Sequence, residues 1–308
     1  MMASVMTFYR FVRLQALDCL RDELEAQARS LGLKGTILLA EEGINGTLAG
    51  GQAALEAFRD ALEARSAFSG IPCKFSSADP DNLVFHRLKV RIKPEIVTLG
   101  HPHLDPSRHT GEHVDASRWN ALLADPEVLV IDTRNRYEIG IGTFPGAIDP
   151  GTRSFRQFPE FIEANVDPRE HPRVAMFCTG GIRCEKASAY LLAKGFEAVY
   201  QLDGGILKYL ETVSPEENRW QGECFVFDQR VSVDASLEEG AYQQCYACRR
   251  PLSEADLESP DYREGVSCPY CAHEHSAERR AGFAERRRQV MLAEARGERH
   301  VGAPQISE

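Results

Sequence analysis

Six of the nine cysteines in this 308-residue chain fall in patterns that do sulfur or metal chemistry. The first group is Cys178-Thr179-Gly180-Gly181-Ile182-Arg183-Cys184. An apolar run, Val174 to Phe177, leads into it and reads as a short buried strand. Beyond it, Ala187, Tyr190, Leu191 and Ala193 recur at helical spacing as far as Gly195. Cys178 therefore stands at the C-terminal end of a strand, where open α/β sheets hold their ligands. The loop Thr179, Gly180, Gly181 and Ile182 is short and rich in glycine. It can turn successive backbone N–H groups inward, and with a helix N-terminus such a nest favours an anion. Cys178 is then expected to be thiolate-rich, partly open at the loop mouth, and helped by the fixed charge of Arg183. The alternative is a structural cysteine beside a tight turn.

Loop length narrows the chemistry. Cysteine-dependent phosphatases place five residues between cysteine and arginine, and this chain places four, Thr179 to Ile182. The shorter cradle suits a single sulfur atom better than a tetrahedral phosphate, as in a rhodanese-type loop. Cys184 opens the following helix. It either resolves an oxidised or persulfidated Cys178 or packs as a small apolar residue under the loop.

The second group is Cys245-x-x-Cys248, nineteen residues, then Cys268-x-x-Cys271. That spacing is a four-cysteine zinc knuckle, closed and structural, with His273 and His275 as unused spare donors. Arg279, Arg280, Arg286, Arg287, Arg288, Arg296 and Arg299 stud the segment after it. They form either a salt-bridged exposed helix or an RNA-facing one.

A third pattern is electrostatic. Arg87, Lys89, Arg91 and Lys93 alternate with Leu88, Val90 and Ile92, so a strand puts four cations on one face. Like charges at that spacing repel unless an anion lies against them, and a nucleic-acid backbone is the obvious candidate. A solvated outer face is the other reading.

These residues need elements to hold them. Residues 1–100 read as a ferredoxin-like α/β sandwich, β-α-β-β-α-β. Its strands are Met6–Val12, Thr36–Ala40, Ile44–Ala49 and Val84–Val97, with helical stripes at Leu20, Leu24, Ala28, Leu31 and at Leu55, Phe58, Leu62. Residues 101–112 form a linker in which His101, His103 and Asp105 only mimic a metal triad. Residues 113–214 alternate strands and helices, which gives a doubly wound parallel sheet. Asp132 and Arg134 end one strand of it. Asp132 reads as a loop anchor, and Arg134 and Glu138 are rim candidates facing Cys178. Residues 215–308 carry the cysteine knuckle and the arginine-rich helix.

The chain is globular, with 43% hydrophobic residues and no apolar run of membrane-spanning length. Arg10 and Arg13 interrupt the apolar N-terminus, which argues against a signal peptide. Odd, reactive and metal-like cysteines suit the reducing cytoplasm. A net charge of −10 restricts nucleic-acid contact to local basic patches. No feature of the sequence fixes an oligomeric state.

Three stretches resemble a known family. They are Ala40-Glu-Glu-Gly-Ile-Asn-Gly-Thr47, Asp132-Thr-Arg-Asn-Arg-Tyr-Glu138, and Phe177-Cys-Thr-Gly-Gly-Ile-Arg-Cys-Glu-Lys186 with Tyr200-Gln-Leu-Asp-Gly-Gly-Ile206. Together they resemble the bacterial tRNA uridine-34 hydroxylases, rhodanese-domain proteins that act on the wobble uridine of tRNA with dioxygen. The resemblance implies tRNA as partner, dioxygen as co-substrate, and Cys178 as the active cysteine, carried as a persulfide. The residues themselves show a sulfur nucleophile and neither a flavin nor a nicotinamide motif. A persulfide sulfurtransferase acting on thiosulfate, tRNA or a protein acceptor, and a non-catalytic RNA-binding rhodanese module, therefore stay open.

Overall fold

The computed structural model describes residues 3–78, 85–228 and 230–297. Val84 and Arg299 lie outside the described residues. The chain divides into two compact units, Met1–Cys224 with Ala235–Leu237, and Phe225–Asp234 with Glu238–Glu308.

The first unit opens with β1 (Ala3–Phe11), α1 (Leu17–Ser30), β2 (Lys34–Ala40), β3 (Gly43–Gly51), α2 (Gln52–Glu63), β4 (Cys73–Ala78) and β5 (Leu88–Ile92). The sheet order is β4-β1-β3-β2-β5. Its first four strands are the expected antiparallel ferredoxin-like set. One detail differs from the sequence reading. The fourth strand of the sandwich is Cys73–Ala78, while the basic strand is a fifth, added parallel to β2 at the edge. The core decides this: Met6, Phe8, Ile37, Leu39, Ile44, Leu48 and Val90 point to one face and bury Leu24, Ala28, Leu55, Phe58 and Leu62 of the helices. Alternation then turns every second residue to the opposite face, away from α1 and α2.

The second half of this unit runs β6 (Glu112–Val114), α3 (Ala116–Ala124), β7 (Leu129–Asp132), α4 (Arg136–Ile139), β8 (Gly142–Thr143), α5 (Phe158–Asn165), β9 (Arg173–Phe177), α6 (Ile182–Ala193), β10 (Ala198–Leu202), α7 (Gly205–Thr212) and β11 (Gln221–Gly222). Four strands form an all-parallel sheet in the order β6-β10-β9-β7. The central β9, Arg173–Phe177, is buried from Val174 onward, as a strand covered on both faces must be. No described helix is long and apolar enough to cross a membrane.

A buried ion cluster joins the two sheets. Lys186, in the second turn of α6, has no exposed side-chain surface, and its Nζ donates to Glu42 Oε2 at 2.7 Å and to Glu95 Oε1. Glu42 also accepts from the Ile96 amide at 2.7 Å, and Glu95 from the Gly100 amide at 3.0 Å. One ammonium cannot fully satisfy two buried carboxylates. Burial pushes the Glu95 carboxyl up, but Lys186 and the amides of Gly100 and Leu99 outweigh it and hold the group below the usual range. For Glu42 burial wins and the carboxyl is raised.

In the second unit a short hairpin pairs Gln243–Gln244 with Pro251–Leu252, and a nineteen-residue helix spans Ala277–Ala295. The hairpin and a turn at Cys268–Cys271 converge on a small core of Cys245, Leu252, Cys268 and Cys271.

Removing Lys186 would strand two carboxylates in a buried junction. Lys186→Met is expected to lower unfolding stability by about 3–5 kcal/mol, measured by urea denaturation. A loss under about 1 kcal/mol would show that the cluster does not hold the two sheets together.

Candidate active site

Cys178 follows β9 directly, and α6 starts four residues later at Ile182. The turn between them needs Gly181, whose φ of +100° is closed to ordinary side chains. That conformation aims the Gly181 amide at Cys178 Sγ, 3.1 Å away. The next loop, after β10, closes the arrangement. Gly205 lies so near that a Cβ would fall 2.4 Å from the Cys178 carbonyl oxygen. In its place the N-terminal amides of α7 reach in: Ile206 N donates to Cys178 O at 3.0 Å, and Leu207 N to Thr179 O at 3.1 Å.

Cys178 is only 1% exposed, so the expected partly open thiol is corrected to a buried one. The physical reason is this double closure, by the loop's own amide and by the Gly204–Gly205 turn. Burial by itself would push the thiol up. The Cys184 hydrogen bond, the Arg183 charge and the backbone amides of Arg183 and Cys184 outweigh it, and hold Cys178 at about 5. Cys184 takes the opposite direction: burial and the adjacent Cys178 raise it well above the usual thiol value, so it stays protonated and donates. Cys184 is buried among the core side chains, and its Sγ also lies 3.6 Å from Thr133 Oγ1.

Arg183 is tied more firmly than the sequence suggests. Its two Nη atoms meet the two Glu138 carboxylate oxygens at 2.7 Å each, and Nη2 lies 3.4 Å from Thr179 Oγ1. Glu138 is fully buried and is itself the third residue of a capping box on Asn135. It is therefore not a rim residue but the counter-charge beneath the loop. Arg134 is corrected in the same way. It has no exposed surface, forks onto Asp132 at 2.9 and 2.6 Å, and donates to the Gly142 carbonyl at 2.6 Å. Its guanidinium lies 5.1 Å from the Trp220 ring centre and 5.8 Å from that of Phe177. Asp132 is the anchor expected, and Arg134 is sealed below the site rather than lining it.

Three residues at the mouth were missed by sequence reasoning. Tyr9 of β1 brings its hydroxyl to 2.8 Å from the position a Gly181 Cβ would take, and to 3.5 Å from Glu185 Oε1. Glu185 is held by His113 Nε2 at 2.9 Å, Thr110 Oγ1 at 2.8 Å and Gln201 Nε2 at 3.2 Å. Burial, then Glu185, raises Tyr9 far above its usual value, so it remains a phenol. Lys74 of β4 donates to the Gly204 carbonyl at 2.6 Å. Neither Tyr9 nor Lys74 lies near Cys178 in sequence, and no local pattern marks them.

The four cations of the basic strand reach solvent. Arg87, Arg91 and Lys93 are exposed and Lys89 half-buried. Desolvation, then Arg87 and Arg91, lowers the Lys89 ammonium. Among the described residues no carboxylate pairs with any of the four. In the second unit, Cys245, Cys248, Cys268 and Cys271 bring their sulfurs within 4.8 Å of one another and can hold a metal ion. Sγ separations of 3.9, 3.7 and 3.6 Å fit the edge of roughly 3.8 Å of a tetrahedron with metal–sulfur bonds near ~2.3 Å. Most arginines of the long helix are occupied within that unit. Arg286 donates to the Tyr246 carbonyl at 2.7 Å, Arg280 to that of Ala272 at 2.9 Å, and Arg287 and Arg288 pair with Glu264 and Glu285. The salt-bridged reading of that helix is the one the contacts support.

Residues 3–96 match a family described as the UPF0176 acylphosphatase-like domain, and residues 115–212 match the rhodanese-like domain. A protein of Mesorhizobium japonicum named tRNA uridine(34) hydroxylase is 54% identical over 300 residues, covering 97% of this chain and 96% of the relative. The chain belongs to the tRNA uridine(34) hydroxylase family. Solved structures overlap parts of this family member. A rhodanese-like domain from Anabaena sp. is 19% identical, with a TM-score of 0.30 over 37% of this chain and 80% of that one. An acylphosphatase from Bacillus subtilis is 22% identical, with a TM-score of 0.23 over 30% and 99%.

The depressed Cys178 has a pH signature. Its thiolate is present above about pH 5 and lost as pH falls through that value. Alkylation by iodoacetamide is to be read on the Cys178 peptide by mass spectrometry, because Cys19 is exposed and Cys73 and Cys248 are half-buried. In the native chain the rate is expected to plateau by pH 7. Cys184→Ser, whose hydroxyl still donates, should keep that plateau, while Cys184→Ala should move it upward. A rate still climbing through pH 8 to 9 in the native chain would mean an ordinary thiol.

Proposed function

We propose that this chain hydroxylates the wobble uridine, position 34, of tRNA in the cytoplasm, with dioxygen as co-substrate and Cys178 as the reacting sulfur. One observation carries the reading. An amide-lined, thiolate-holding cysteine stands in a chain related almost end to end to a protein of that name. The loop amides and Arg183 stabilise the anionic states of Cys178, and Cys184 donates to them. Placing one atom of dioxygen on a carbon–hydrogen bond leaves the second atom to be reduced to water by two electrons and two protons. A thiolate or persulfide sulfur is a two-electron donor that the site itself supplies.

The second reading is persulfide sulfur transfer, and one observation favours it. The loop has four residues between Cys178 and Arg183, one fewer than the phosphatase cradle, which suits a single sulfur atom better than a phosphate. A non-catalytic module is disfavoured, because a binding surface has no use for a thiol held at about 5.

The two enzyme readings part on isotopes. Hydroxylation puts label from heavy dioxygen into the base at position 34 and none from a labelled sulfur donor. Sulfur transfer gives the reverse. The oxygen label is expected, and Cys178→Ala should abolish it while leaving the thermal midpoint within a few degrees. Sulfur in the base would overturn the hydroxylase reading, and full activity of the alanine variant would overturn the role of Cys178.

We assign zinc to the four-cysteine cluster, in a closed structural role. Purified protein should contain about one zinc per chain. Chelation is expected to expose the second unit to protease while leaving the rate of Cys178 alkylation unchanged. Absence of metal by elemental analysis would reject the site.

A further inference from the structure

The face of the first sheet turned away from α1 and α2 has a composition that its fold does not require. Register places Lys74, Thr7, Thr47, Thr36 and Lys89 in one row, a residue from each of the five strands. The neighbouring row holds Tyr9, Asn45, Leu38 and Arg91. Thr7 is exposed, and Thr36, Thr47 and Lys89 are half-buried. Among the described residues, no carboxylate points from any of the five strands to this face. In a chain with 46 acidic and 36 basic residues, an acid-free face with lysines at both ends of a threonine row is a local charge inversion.

Both rows begin at the Cys178 mouth. Lys74 holds the Gly204 carbonyl, in the turn whose next residue touches the Cys178 carbonyl. Tyr9 stands over Gly181. The first row then crosses four strand spacings, roughly 19 Å, to the unpaired Lys89, and the second crosses three to Arg91 at the same open edge. Hydroxyls repeating at the strand spacing suit phosphate and ribose oxygens. Tyr9 and Phe11, edge to face at 6.3 Å, offer rings beside the mouth on which a base can lie.

We propose that this face is the floor on which a single-stranded stretch of RNA lies, its phosphates following the Lys74–Thr7–Thr47–Thr36–Lys89 row from the Cys178 mouth to the edge of β5. The inference rests on the tRNA reading above and specifies which surface carries it. The occupant is RNA rather than a protein strand, because the row presents cations and hydroxyls where a protein partner would want apolar surface.

The test is binding of a fluorescent RNA stem-loop, with a photoreactive uridine in the loop, to the full chain at several salt concentrations. Lys89→Glu with Arg91→Glu is compared with Arg21→Glu plus Arg29→Glu on α1, the same charge change on the helix-covered side. Thr7→Val with Thr47→Val removes two hydroxyls with no change in charge. The β5 pair is expected to weaken binding roughly ten- to a hundredfold and to reduce the salt slope by about 1.4, that is 0.7 for each lost single-strand phosphate contact. The threonine pair should weaken it severalfold, and crosslinks should map to residues 3–11 and 43–51. Equal losses from the α1 pair, or unchanged affinity and slope in the β5 pair while the stem-loop still binds, would overturn the floor and leave the tRNA reading standing. A native chain that ignores the stem-loop would overturn both. A change of oligomeric mass with the threonine pair, without a change in RNA affinity, would assign the face to a second copy of the chain and overturn the proposal.

Discussion

Much of this molecule hangs on one buried ammonium. Lys186 reaches from the helix that begins in the Cys178 loop to Glu42 in the β2–β3 turn and Glu95 after β5. Water reaches none of the three well, so each depends on the others for its charge. The cluster therefore ties the orientation of α6, and with it the loop amides, to the turn that ends β2. It also sets where β1 and β4 arrive, and so places Tyr9 and Lys74 at the loop mouth. The Lys74–Gly204 and Tyr9–Glu185 contacts complete the same junction.

The site repeats the same device at shorter range. Asp132 neutralises Arg134, Glu138 neutralises Arg183, and each pair is sealed from solvent. What remains is the sulfur of Cys178, held by the Cys184 thiol, by the charge of the Glu138-paired Arg183 and by amides. Fixed dipoles of this kind do not need to reorganise when the charge on sulfur changes, which is the condition for stabilising a transient anion.

The loop was legible in the sequence because its signals are local. A cysteine after an apolar run, two glycines and a helical stripe can only turn back on themselves, and the structure shows that turn. The ferredoxin-like order and the parallel sheet were legible from periodicity. The fourth strand was not: Cys73–Ala78 is short and mixed, while the basic strand alternates cleanly and drew the assignment. Arg134 and Glu138 were placed correctly along the chain and wrongly in depth. Position at a strand end says nothing about whether a neighbouring carboxylate or arginine will bury the charge. Tyr9, Lys74 and the Glu42–Lys186 contact were invisible because they join residues more than a hundred positions apart. Both ends of that last contact nonetheless sit inside the stretches that carried the family resemblance.

The depth of Cys178 sets a condition on geometry. With 1% of its surface open, the sulfur lies too deep to be met by a base that stays stacked and paired in a duplex lying across the mouth. Only a single ring swung out of its stack is small enough to approach it, and the contact of Tyr9 with the Gly181 turn must part to admit one. Recognition of a bend in the RNA and access to the sulfur then become the same event. A uridine in continuous duplex is excluded by shape before any of its functional groups are read.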